Sequence, residues 1–230
     1  MGAKIYQNKK YIAFFLIPAF VFMLIFLYYP FIQNIINSFQ HIKYMGTAAD
    51  KWNAPFYKNY LEIFKDPKML IALKNTGIMI IATIVGEVGL AIVLSLLVSN
   101  IKKGAGFFRV VYFFPIVISA TALGLLFNLV FLYDKGMINQ LLQLIGVLDA
   151  GKNELIDWKA THPMFTMLVP VIWQYVGFYF IILLTGLSGI PEDLYEAAEI
   201  DGASKLQQVR YVTLPLLRNS ICTCVVLAVT

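Results

Sequence analysis

The chain has 230 residues, of which 60% are hydrophobic and only 13% charged, with 18 Lys and Arg against 13 Asp and Glu for a net charge of +5. With a mean hydropathy of +0.74 it is too apolar and too charge-poor for an ordinary soluble domain. Such a chain belongs in a bilayer, and its length suits a bundle of five or six membrane helices.

A hydrocarbon core about 30 Å thick needs roughly 20 apolar residues at helical rise, and charge-free windows of that size recur along the chain. The first follows Lys4, Lys9 and Lys10 and predicts a helix over Tyr11–Tyr29. This run is longer than a signal-peptide core and no small-x-small cleavage site follows it, so it reads as a retained first span. The segment from Phe31 to Lys74 is long and holds Trp52, Pro55 and the stretch NYLEIFKDP, which predicts short interfacial helices rather than open coil. A second span is predicted over Asn75–Val98, with Glu87 its only charge. The short basic turn SNIKKGAGFFR leads to a third over Phe108–Leu132, and a moderately polar segment, Tyr133 to Pro163, leads to a fourth over Met164–Leu187. A segment dense in acids and bases, Ser188 to Arg218, precedes a fifth apolar run from Asn219, and the sequence reads as stopping inside that helix. The whole, 1–230, reads as a single transmembrane domain: an all-α polytopic bundle with five spans visible.

Pro18, Pro115 and Pro170 fall inside or near the ends of these helices, where neighbours tolerate a kink. Ala82/Gly86, Ala91/Ser95/Ser99 and Ala120/Gly124 repeat small residues at four-residue spacing, which lets helices approach closely. Cys222 and Cys224, the only cysteines, build neither a disulfide framework nor a four-ligand zinc site. A bare count divides the Lys and Arg residues evenly between the two sides of this map. The positive-inside rule weights the first helix and the short loops, however. Lys4, Lys9 and Lys10 share a side with the compact turn holding Lys102, Lys103 and Arg109, and that side is taken as the cytoplasm. Four crossings bring Ser188 to Arg218 back to it.

The cytoplasmic segment contains IPEDLYEAAEIDGASKLQQVRYVTLPLL, Ile190–Leu217. Pro191 suits a first helical position, with Glu192 and Asp193 placed against the positive end of the helix dipole. Gly202 permits a turn, and Pro215 feeds the next span. Leu206 and Val209, three apart, are predicted to share a face of a short second helix, while Ala197, Ala198 and Ala203 leave room for another protein to approach. On composition alone this is equally an amphipathic loop lying on the headgroups. The order EAA, two residues, DGA and a later TLP closely resembles the signature loop of permease subunits in binding-protein-dependent ABC importers. That resemblance implies a coupling segment that docks on a cytosolic ATPase. Its residues here are Glu196, Ala197, Ala198, Asp201, Gly202 and Ala203, with Leu206 and Val209 where sugar-type members often carry aromatics, then Thr213, Leu214 and Pro215.

KNT at Lys74–Thr76, FFRVVYFFP at Phe107–Pro115, GMIN at Gly136–Asn139 and IWQYVGFYF at Ile172–Phe180 are similar to the carbohydrate branch of that family, the maltose and glycerol-phosphate uptake type. The resemblance implies six core helices in all and a bacterial cell membrane location. It also implies a second homologous permease subunit, two cytosolic ATPase subunits that bind the ATP and Mg, and an extracytoplasmic solute-binding protein. No cofactor, catalytic residue, metal site or nucleic-acid partner of the chain's own is expected. Sugars stack on rings and need hydrogen bonds, so Trp173, Gln174, Tyr175, Phe178 and Tyr179 on the fourth helix and Asn128 on the third are candidates for the solute path. Trp158, His162, Asp134, Asp149, Glu154 and Asp157 mark an external surface that is either a docking site for the binding protein or a solvated loop.

Glu87 stands out, since a charged side chain at mid-bilayer costs about 2.5–3.5 kcal/mol even on lenient insertion scales. It should face protein or water, either in the path or a gate, or as a protonated or hydrogen-bonded tie between helices. The same residue supports a second reading of the chain, an ion-coupled secondary transporter with Glu87 as proton site. Against that stand the absence of paired buried ionisable residues and the lack of any role there for the EAA segment. A membrane enzyme is a weaker reading still, for want of a Ser/His/Asp grouping, a metal-ligand cluster or a phosphate-binding glycine loop. The two histidines, His41 and His162, lie in separate segments.

Overall fold

A backbone surrounded by lipid must satisfy its own hydrogen bonds, and long apolar helices accordingly dominate the computed structural model, which describes residues 9–44, 46–47, 49–101, 104–149 and 154–230. Lys4, Lys102 and Lys103, on which the expected orientation partly rests, lie outside the described residues. Contacts divide the chain into two units, Met1–Leu73 and Lys74–Thr230.

In the first unit α1, Lys10–Ser38, is a single 29-residue apolar helix. It runs on to Ser38 instead of ending at Tyr29. The π turn Leu24–Tyr28, ending two residues before Pro30, accommodates a ring and a missing donor that would otherwise break a regular helix. A two-residue antiparallel ladder, β1 (Gln40–His41) with β2 (Lys51–Trp52), follows. The expected interfacial helix is α2, Lys58–Lys65. Asn59 fastens it to the end of α1: its amide donates to the carbonyls of Ser38 at 2.9 Å and Gln40 at 3.0 Å. The Tyr60 hydroxyl meets Ser38 Oγ at 2.7 Å.

The second unit contains most of α3, Pro67–Ser99, together with α4 (Ala105–Val117), α5 (Ala120–Val130) and α8 (Pro163–Ser188). Gly86 of α3 faces Ile172 of α8, while Val98 and Ser99 line one groove with Leu184 and Leu187, so the two helices run side by side in the same direction. Two parallel spans require a return crossing between them, which α4 and α5 provide. Arg109 stands beside Thr185 and Ser188, the Tyr112 carbonyl abuts Gly177, and Phe131 reaches the rings of Trp158 and Phe165 at the far end of α8. The chain therefore passes from one end of α8 to the other, with α4 antiparallel to it.

The predicted third helix, Phe108–Leu132, is corrected here, because the crossing is bent by 98° between α4 and α5. Pro115 opens a 3-10 turn, and extended Ser119 then starts a new helix by accepting a hydrogen bond from the Ala122 N–H at 3.3 Å. The break leaves the Ile118 carbonyl without a helical donor, and Gln174 Nε2 supplies one at 3.0 Å.

Beyond α5, Gly136 lies so close to Leu132 that a Cβ there would sit 2.0 Å from its carbonyl oxygen. The next helix is α6 (Met137–Leu144), and α7 (Trp158–Thr161) precedes α8. Asn139, 1% exposed, fastens the connection between them. Its Nδ2 donates to the carbonyls of Tyr133 and Ile156, both at 3.0 Å, and its Oδ1 accepts from Trp158 Nε1 at 2.9 Å. After α8 the chain forms α9 (Asp193–Ile200), α10 (Lys205–Leu216) and α11 (Arg218–Val229). α11 starts beside Gly186 and ends beside Thr83, whose hydroxyl approaches the Ala228 carbonyl at 3.5 Å. It too is antiparallel to α8. The core of this unit is the seam of α3, α8 and α11, centred on Val88, Ala91, Phe180, Leu183 and Cys224.

Candidate functional site

The segment between α8 and α11 lies at the end of the second unit where α3 stops and α4 starts, as the parity of crossings predicts. α9 begins two residues after Pro191, with Glu192 as its N-cap and Asp193 and Glu196 in its first turn. Gly202 has φ +77, a left-handed backbone that only glycine adopts freely, and nothing lies within 4 Å of where its Cβ would be. Ser204 then starts α10 through a capping box, receiving the Gln207 N–H while the Gln207 side chain receives its own. The pattern S-x-x-Q at Ser204–Gln207 signals that helix start in the sequence.

Glu196, Ala197 and Asp201 are exposed, Ala198 and Ala203 half-buried, Leu214 half-buried and Pro215 exposed. Leu206 projects freely at 82% exposure. Val209 does not share its surroundings. It opens a π turn, Val209–Thr213, and lines a groove between α9, α10 and the adjoining ends of α3, α4 and α8. The expectation of a common apolar face for these two residues is corrected by their surroundings: Leu206 stands free while Val209 is half-buried beside the groove. Ile200 takes Val209's place as the second free apolar side chain, 86% exposed on the other side of Gly202. Its signal in the sequence is an isoleucine set among acids just before the turn. The groove holds about 720 Å³ and carries Glu192, Glu196 and Glu199 with Arg109 and Lys205.

The candidates for a solute path separate into two groups. Glu87, 3% exposed, and Tyr179, 4% exposed, are buried in the seam, with the Tyr179 side chain beside the Glu87 carboxyl. Gln174 is likewise buried, tied to Ile118 at the bend. Phe178 is half-buried against the Tyr179 ring at 5.4 Å. Gln174 joins two helices, and Phe178 packs against the core cluster that contains Tyr179. Trp173, Tyr175 and Asn128 keep exposed surface. Trp173 meets Phe127 edge-on at 5.7 Å, and Asn128 accepts a hydrogen bond from Lys159. Residues expected on the external side are also drawn into structure: Asp157 caps α7, accepting the Ala160 N–H at 3.1 Å, and the Trp158 indole is held by Asn139.

Glu87 is therefore expected to act as a tie. Glu87→Gln keeps an acceptor for Tyr179 and should assemble and transport near the normal level. Glu87→Leu strands the tyrosine hydroxyl and should lower the stability of the purified protein by about 1–3 kcal/mol, with recovery when Tyr179→Phe removes the second partner as well. Thermal unfolding in detergent measures this. A Glu87→Gln protein that assembles normally but no longer transports would put the carboxyl in the path instead.

A family model described as binding-protein-dependent transport system inner membrane component matches residues 89–230. The probable ABC transporter permease protein YurN of Bacillus subtilis is 34% identical over 226 residues, 97% of this chain and 75% of that protein. The arabinooligosaccharides transport system permease protein AraP of Halalkalibacterium halodurans is 33% identical over 93% of this chain and 65% of its own length. For the lactose transport system permease protein LacF of Rhizobium radiobacter the identity is 28%, over 90% of this chain and 67% of the relative. Among solved structures, a bacterial ABC transporter involved in the import of the acidic polysaccharide alginate shares the fold with a TM-score of 0.78 at 21% identity, over 98% of this chain and 74% of that one.

Proposed function

The chain belongs to the family of binding-protein-dependent transport inner membrane components, and from that premise we propose that it forms half of the solute path of an ATP-driven sugar importer in a bacterial cell membrane. The observation that carries this reading is the helix, turn and helix Asp193–Gln208, set at one end of the bundle with Ile200 and Leu206 exposed on either side of Gly202. Apolar side chains of that size, held out on a charged segment that cannot itself enter lipid, suit a protein groove. The partner chemistry proposed for them is a cytosolic ATPase. A second permease and an extracytoplasmic binding protein complete the assembly. The curated relatives are named for arabinooligosaccharides, diacetylchitobiose, lactose and multiple sugars, and an oligosaccharide is the solute class proposed here. An ion-coupled carrier is not favoured, since Glu87 is enclosed between helices instead of facing a path.

Two measurements test the reading. Expressed with its partner subunits, the permease should carry a cytosolic ATPase through purification; a permease that brings none would return the ion-coupled carrier to first place. The sidedness is tested by single cysteines at Leu144, 83% exposed on α6, and at Gln207, in a chain freed of Cys222 and Cys224. An impermeant thiol reagent should label Leu144→Cys in intact cells and Gln207→Cys only after permeabilisation. The reverse pattern would invert the orientation.

A further inference from the structure

The coupling segment has a soft point and a tie that spans it. Its soft point is Gly202, unhindered and in a left-handed conformation, where α9 could swing relative to α10. The tie lies at the opposite end of α9. The Tyr195 hydroxyl stands 3.1 Å from Thr213 Oγ1, and Thr213 Oγ1 donates its only proton to the Gln208 carbonyl at 3.3 Å. Tyr195 must therefore be the donor of the first bond. Gln208 continues the chain, with Nε2 donating to the Ala203 carbonyl and Oε1 accepting from Lys205 Nζ, each at 3.4 Å. Lys205 Nζ lies 3.9 Å from Glu199 Oε1, back on α9. Thr213 is 2% and Gln208 4% exposed, so water competes little for these bonds.

We propose that Tyr195 and Thr213 are positioning residues whose hydrogen bond locks α9 to the far end of α10, where that helix meets α11, so that a push on the Gly202 turn moves α9 and α10 as one body against α11 instead of bending the segment at the glycine. The proposal rests on the coupling role given to this segment above. Two helices joined only at one flexible turn form a hinge, and a force on the tip would be lost in its opening. A second link at the base closes a triangle through Tyr195, Thr213 and Gly202, and a triangle of rigid sides cannot fold.

The test uses the full complex with spin labels at Asp193→Cys, exposed at the start of α9, and Asn219→Cys, Cys222 and Cys224 having been replaced. The distance distribution between the labels is read by pulsed electron resonance without nucleotide and with ATP, and copurified ATPase is measured in parallel. The wild-type distribution should keep its width in both states. Tyr195→Phe and Thr213→Val, each removing one end of the bond, should broaden the ATP-bound distribution about twofold or more, as loss of one net-stabilising hydrogen bond allows. The double variant should go no further, and Thr213→Ser, which keeps the hydroxyl, should match wild type. Unchanged widths in Tyr195→Phe with normal ATPase copurification would overturn the tie while leaving the coupling role intact. A wild-type complex that recruits no ATPase would overturn both.

Discussion

Gly177→Ala should prevent the second unit from assembling, leaving little monodisperse protein after solubilisation and a sharply lower melting temperature in what remains. The Cβ it adds would fall 1.7 Å from the Tyr112 carbonyl oxygen, 2.4 Å from its carbon and 3.0 Å from the Phe113 nitrogen. Non-bonded heavy atoms rest about 3.5–4.0 Å apart, and here the obstacle is backbone, which has no rotamer to change. α4 would have to retreat from α8 by more than a bond length. That displacement would unseat the Tyr112 ring from Phe180, centroids now 5.3 Å apart, and pull on the bond from Gln174 to Ile118. Overpacking a core costs about 1–3 kcal/mol where side chains can yield, and the cost here should exceed that range. Two other glycines calibrate the result. Gly86→Ala meets only the mobile end of Ile172, 2.5 Å away at Cδ1, and should be intermediate, whereas Gly124→Ala meets nothing within 4 Å and should be silent. A Gly177→Ala protein that melts like wild type would refute the close crossing of α4 and α8.

The contrast among these glycines also shows what could be read from residues alone. Four-residue spacing of small side chains drew attention to Gly86, Ala91 and Ser95, and all three do meet α8 or lie fully buried in the seam. The same spacing selected Gly124, which faces open space, and passed over Gly177, where the contact is tightest. Spacing reports a narrow helix face but not whether a neighbour uses it. The spans were legible because a run without charge has one stable form in lipid. The bend at Ile118–Ser119 was not, since Pro115 alone is compatible with a kinked continuous helix and the decisive donor, Gln174, comes from another span. In the segment between α8 and α11 Gly202 and the Ser204 box are local chemistry, legible in the sequence. Val209 was misplaced because the groove it lines is built by other helices, which periodicity within one segment does not report.

Gly202→Val should separate insertion from coupling. A β-branched residue at φ +77 is strained by the clash between Cβ and the following carbonyl, about 1–2 kcal/mol even for an unbranched side chain. The spans are untouched, so membrane insertion should be normal while the turn relaxes away from its left-handed form. Copurified ATPase should fall about tenfold, the equivalent of 1.4 kcal/mol in a binding constant. Gly202→Asn divides the two causes. Asparagine tolerates the left-handed region, so full recovery would assign the defect to strain alone, and a persisting loss would show that the partner's surface comes within a side chain of the turn. Leu206→Ala, at an 82% exposed position with no share in the fold's core, should weaken recruitment without changing thermal unfolding. Normal ATPase recruitment and coupled hydrolysis in Gly202→Val would sink the assignment of this segment.

The parallel pairing of α3 with α8 has a consequence for how the protein is made. Tyr179 follows Glu87 by 92 positions, and at a synthesis rate of about 5–20 residues per second the ribosome needs roughly 5–20 s to reach it. Throughout that interval α3 is in or entering the bilayer with its acid unpartnered. The insertion cost of such a residue, about 2.5–3.5 kcal/mol, is cancelled by roughly seven Leu, Ile or Val residues contributing about 0.3–0.6 kcal/mol each. Ile78, Ile80, Ile81, Ile84, Val85, Val88, Leu90, Ile92, Val93 and Leu94 surround Glu87 within one span. The newborn α3 thus enters the membrane on its own hydrophobicity, and the contact with Tyr179 serves a later stage, when the arrival of α8 fixes which of its faces turns inward.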